Sequence, residues 1–147
     1  MPGSDKIRFE NGGGGAFYKE AKRAVESHLA GRGKTRLADG RILVKALVFG
    51  GGALASYSAL LWSGLPAPAL FGFAALFQLS ALFLAVNLGH DAVHDALTPS
   101  ARINRFVYLA TFTLLGVDGR LWFLRHRKSH HVFPNVLGCD ADIDDNP

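Results

Sequence analysis

The chain is 147 residues long, carries a formal net charge of +4 and takes 49% of its residues from the hydrophobic set. That length suits one small domain, and a single cysteine, Cys139, excludes an intrachain disulfide and hence a disulfide-framed secreted scaffold. The first 45 residues hold ten Lys or Arg against five Asp or Glu, a balance that suits an anionic membrane surface; no basic stretch interleaved with aromatics marks a nucleic-acid module.

Residues 1 to 16 are polar and glycine-rich, with Gly12 to Gly15 in succession. Four glycines carry too much backbone freedom to order, and with no Lys-Ser/Thr after them they make no phosphate loop, so a flexible tail is expected. The first 30 residues contain no apolar core, which argues against a cleavable signal peptide. From Phe17 to Leu29 the pattern is helical, with Phe17, Ala21, Val25 and Leu29 or His28 along one side. This amphipathic helix is expected at the membrane surface, its Lys and Arg towards headgroups, and His28, alone there, reads as a surface histidine. Gly31, Gly33 and Gly40 end it.

From Ala46 to Gly89 no residue is charged, a run of 44. As one helix it would reach about twice the hydrocarbon thickness of a bilayer, and Ser63-Gly64-Leu65-Pro66-Ala67-Pro68 interrupts it with turn residues near its middle. The expected result is a membrane hairpin, roughly Ile42 to Trp62 and Ala69 to Gly89, with Lys45 able to snorkel. Both outer flanks are basic (Arg36, Arg41 and Lys45 before; Arg102 and Arg105 after), so by the positive-inside rule both are expected in the cytoplasm. Residues 1–40 thus read as a cytoplasmic tail with an amphipathic helix, and 41–147 as the membrane part of an all-α, multi-pass protein. Phe106 to Val117 is apolar but only 12 residues long, about 18 Å as a helix, too short to cross. A re-entrant or interfacial helix would return the chain to the same face.

Five of the six histidines fall in two clusters, His90-Asp91-Ala92-Val93-His94 and His126-Arg127-Lys128-Ser129-His130-His131, separated by the 31 residues from Asp95 to Arg125. Residues four apart share a helix face, so His90 with His94, and His126 with His130, could each close on one ion. His131 would point about 100° further round, towards a second ion. Two pairs of idle surface histidines are the bland reading. Against it, the first cluster directly follows a long apolar run, where an unused His-Asp pair would be costly. Five imidazoles without thiolates suit zinc, copper or iron and exceed the needs of one tetrahedral zinc.

Three chemistries fit such clusters. A membrane zinc hydrolase would use Asp91 as general base, though it leaves three histidines without a role. A non-catalytic metal-binding or transport protein would favour polar residues within the spans, where Gln78 and Asn87 are nearly alone. A pair of irons that activates oxygen accounts for the number of histidines and for the membrane setting.

The string Gly89-His-Asp-Ala-Val-His94, then Asn104-Arg105, then Leu121-Trp122 and His126-x-x-x-His130-His131-x-x-x-Asn135-x-x-Gly138-x-Asp140-x-Asp142-Ile143 resembles the first two histidine boxes of membrane fatty acid desaturases of the acyl-CoA or acyl-lipid type, related to linoleoyl-CoA desaturases. The resemblance implies oxygen-dependent introduction of a double bond by two iron ions, with His90, His94, His126, His130 and His131 as ligands and Asp91 orienting an imidazole. It also implies an acyl-CoA or acyl-lipid substrate and a separate electron donor of cytochrome b5 or ferredoxin type. Fatty acid or lipid hydroxylases and ketolases share similar boxes. The family's third box, Gln-x-x-His-His, is absent and Pro134 stands where a threonine is expected before the Asn, so the chain reads as the N-terminal part of a desaturase.

Overall fold

A computed structural model describes residues 14–62 and 64–143. The expected tail over residues 1–13, Ser63 of the expected turn, and the acidic residues Asp144 and Asp145 lie outside them. Every regular element among the described residues is helical, in agreement with the all-α class.

Helix α1 runs Gly14–Gly31, so the expected tail gives way to helix three residues earlier than the glycine run suggested. His28 is exposed on it, as expected for a surface histidine. The helix leaves Phe17, Tyr18 and Val25 exposed. Gly33, at φ +63°, turns the chain beyond it.

Helix α2, Gly40–Leu60, is capped by the Asp39 carboxylate, which accepts from the Arg41 amide. Helix α3, Ala67–Leu84, begins at the Pro66-Ala67-Pro68 turn, with proline in its first turn where its missing N–H costs nothing. The two pack as the expected hairpin. Small residues are buried on both helices, Ala53 and Ser56 on α2 and Ser80 and Ala81 on α3, and a Cβ on Gly52 would come within 2.8 Å of Ser80 Oγ, so the backbones approach closely. Leu43, Leu47, Leu54, Phe71, Leu79 and Val86 are exposed, the side chains a bilayer would cover. Both helices are long and apolar enough to cross a membrane.

The second arm does not stop at Gly89. It passes through a π-helical turn, Ala85–Gly89, into α4, His90–Val93, giving a continuous helix of 27 residues, Ala67–Val93. Lys45 reaches across the hairpin, its Nζ donating to Asn87 Oδ1 at 2.8 Å, while Asn87 Nδ2 donates to the Phe83 carbonyl. The lysine expected to snorkel therefore also has a partner in the π turn.

Helix α5, Ala101–Leu114, starts at Ser100, whose hydroxyl accepts from the Ile103 amide. Asn104, buried, ties the preceding loop down through Thr98. A break at Leu115–Asp118 bends the chain by 118° into α6, Gly119–Phe123, which continues as a second π segment, Leu124–His130. Gly116, at φ +87°, makes the bend, and Asp118 caps α6 by accepting from the Arg120 and Leu121 amides. The short apolar segment thus folds back at this bend. Ala85, Val93 and Phe112 form the core, with Tyr108, Leu115, Trp122 and Phe123 packed on it.

Gly89 sits where α5 crosses the helix that leads into His90. A Cβ there would lie against Thr111 Oγ1 and 3.1 Å from the Phe112 ring. Gly89→Ala is expected to cost about 1–3 kcal/mol by forcing the helices apart, measurable as a lowered Tm in detergent, whereas Gly50→Ala, which meets open space, should leave Tm nearly unchanged.

Candidate metal centre

The first histidine pair stands at the end of the long helix. The His94 amide still donates to the His90 carbonyl, 3.3 Å away, and their ring centroids are 4.7 Å apart, so the expected i, i+4 pairing is present. The turn after it is tight: Asp95 adopts φ +55°, and the Ala96 amide donates to the Asp91 carbonyl.

The second cluster is built differently from expectation. Its backbone is π-helical, and the His131 amide donates to the His126 carbonyl five residues back. A π turn aligns residues five apart, so His126 pairs with His131, their Nε2 atoms 3.1 Å apart. His131 is therefore drawn in beside His126. His130 is the ring that diverges: its Nδ1 lies 3.0 Å from both carboxylate oxygens of Asp140.

The two clusters meet as the fold-back requires. His94 Nε2 and His126 Nε2 are 3.3 Å apart, the His94 and His131 ring centroids 4.7 Å, and those of His90 and His126 5.2 Å. Each of His90, His94 and His126 offers a nitrogen within 4.8 Å of the others. Among the described residues one further group, His130 with Asp140 and Asp142, meets the same spacing.

Three contacts hold this geometry. Trp122 stacks on His126 at 4.4 Å and on Phe112 at 4.2 Å, which fixes the plane of the imidazole against the core. Arg127 reaches from the second cluster to the first, its guanidinium donating at 2.7 Å to the Val93 carbonyl and to Asp95 Oδ2; it thus satisfies an orphan carbonyl at the helix C-terminus. Asp142 Oδ2 lies 3.2 Å from His126 Nδ1.

Asp91, expected to orient an imidazole, is 4.0 Å from His90 Nδ1 and half-exposed, beyond hydrogen-bond reach. The carboxylates that do reach ring nitrogens are Asp140 and Asp142, which on composition alone read as part of an acidic tail. Their signal was the Gly138-x-Asp140-x-Asp142 spacing, ten and sixteen residues after His130 and His126. Trp122 was visible only as part of the family pattern. Cys139 is partly buried and contributes its backbone carbonyl to Ser129.

The electrostatics favour neutral, metal-competent rings at His94 and His126, both lowered first by burial. Burial, then the neighbouring His90, His131 and His126 rings, push the His94 pKa down to about 4, so at neutral pH its nitrogen lone pair is free of a second proton. Burial alone would raise Asp140, but the Asn135 and Asp142 amides and then His130 outweigh it and hold the carboxyl below its ordinary range.

No family model matches the chain, and no solved structure matches it. Curated proteins do. Over 140 residues, 95% of the chain, it is 25% identical to the sn-1 linoleoyl-lipid 6-desaturase of Synechocystis sp.. Over 130 residues, 86% of the chain, it is 32% identical to the acyl-lipid (8-3)-desaturase of Physcomitrium patens, and over half of its length 26% identical to the probable Delta(5) fatty acid desaturase C of Dictyostelium discoideum. The chain spans 38% of the first of these relatives and 26% of the second. Over most of its length this chain, with its two histidine clusters, is thus a relative of the fatty acid desaturases.

Proposed function

We propose that the chain is the part of an oxygen-dependent fatty acid desaturase that carries its first two histidine boxes, and that His90, His94, His126, His130 and His131 are iron ligands. The observation that carries the reading is the convergence of His94, His126 and His131 through their Nε2 atoms. Imidazole nitrogens facing one another at such separations, without thiolates, are a donor set that suits a transition metal, and the named relatives are desaturases. In this reading residues 1–40 form a cytoplasmic segment and 41–147 belong to the membrane desaturase domain, with further ligands supplied by a third box.

A bound pair of irons, given oxygen and electrons from a cytochrome b5- or ferredoxin-type donor, supplies the oxidising power to remove two hydrogens from an unactivated acyl chain. The residues of this chain hold and orient. Trp122 and Phe112 wall one side of the imidazole cluster with apolar surface. A groove of about 450 Å³ lined by Gly50, Ala53, Leu54, Tyr57, Phe77, Leu84 and Leu114 has the apolar lining an acyl chain requires. The relatives' names favour an acyl-lipid substrate over acyl-CoA.

Expression of this chain continued through a third histidine box, in a host with such a donor, is expected to add an unsaturated acyl species to the host lipids and His126→Ala to abolish it, while the 147 residues alone, with an incomplete ligand set, should add none. Unchanged lipids, together with retention of zinc and a hydrolytic activity lost in Asp91→Asn, would sink the reading. The topology carries its own test: reporters fused after Lys34 and after Arg105 should both report the cytoplasm, and opposite sides would overturn the hairpin orientation.

A further inference from the structure

Asp140 is the one acidic side chain among the described residues that is wholly buried, at 0% exposure, although the loop around it is largely exposed. Burying an uncompensated carboxylate is expensive, and here every side of it is met. Oδ2 accepts from the Asn135 amide at 2.7 Å and Oδ1 from the Asp142 amide at 2.9 Å, while His130 Nδ1 lies 3.0 Å from both oxygens. The loop is tied to the π segment it serves. Ser129 Oγ donates to the Cys139 carbonyl and accepts from the Ala141 amide, and Arg125 donates to the Ala141 carbonyl. Asn135 at φ +62° and Gly138 at φ +75° provide the reversals that bring the carboxylate back under His130.

We propose that Asp140 is a positioning residue: it fixes the proton of His130 on Nδ1 and so directs the Nε2 lone pair of that ring towards the metal. This rests on the metal reading above. The step from geometry to tautomer is short, because an ionised carboxylate only accepts, so the ring atom facing it must be the donor. One imidazole proton placed on Nδ1 leaves Nε2 as the ligand atom. Asp140 orients and does not itself ligate: each oxygen already accepts a backbone amide, and the group lies behind the ring with no exposed surface. Asp142, half-exposed, makes the weaker equivalent contact to His126 Nδ1 at 3.2 Å.

The test compares wild type with Asp140→Ala and Asp140→Asn, the second retaining shape and one acceptor for the loop amides in case the first does not fold. In the metal-free chain, imidazole ¹⁵N NMR should show His130 protonated on Nδ1 in wild type and a mixture with the Nε2–H tautomer in the variants, at unchanged helical content. Titration with Co(II), followed by its visible absorption, should show affinity lowered about 10–100-fold in Asp140→Ala with the band shape retained. An unchanged His130 tautomer in both variants overturns the proposal, as does a changed cobalt band shape, which would mark Asp140 as a ligand. Should wild type bind neither Co(II) nor Fe(II), the metal reading falls, while the tautomer comparison still decides whether Asp140 sets the His130 proton.

Discussion

A helix of 14 residues, α5, reaches about 21 Å and falls short of the hydrocarbon thickness of a bilayer. The structure depends on that shortfall. The chain turns instead, and the 118° bend after Leu114 lays the second histidine segment under the end of the long helix Ala67–Val93. The bend satisfies its own backbone: the Val117 amide donates to the Phe112 carbonyl, the Gly116 amide to that of Thr113, and Asp118 takes the first amides of the next helix.

The core and the site are one structure. Phe112 is at once a core residue and the base of the stack that continues through Trp122 to His126 and, at 5.6 Å, to His130. Val93, fully buried, offers its carbonyl to Arg127. Few side chains are buried elsewhere, since the hairpin presents its apolar faces outward, so packing beside the histidines carries a large share of what orders them.

Hydrophobic run lengths and turn residues made the hairpin and the fold-back legible, because both follow from chain reach and from Pro and Gly. The first histidine pair was legible too, since His90 and His94 sit on regular helical hydrogen bonding. The second was not. No hydrophobic period distinguishes an i→i−5 bond from an i→i−4 bond over a polar string such as Arg125 to His131, so the approach of His131 to His126 was not visible there. The roles of Asp140 and Asp142 were hidden for another reason: they act through a loop that doubles back ten to sixteen residues, and charge counting reads such a loop as a solvated tail. Arg127 likewise looked like one more surface cation, its function set by a carbonyl 34 residues away.

Both histidine clusters adjoin π turns, and a π turn is an α-helix carrying one surplus residue. Position along the helix is therefore set by residue count as well as by residue type. Loss of a single residue from Leu124–His130 would rotate everything beyond it by about 100°, detaching His131 from His126 and carrying the Asp140 loop to another face. Such a segment tolerates many exchanges of side chain at Leu124 or Lys128 while admitting no change in its length, which makes frame-preserving deletions, not point substitutions, the sharper hazard to this part of the chain.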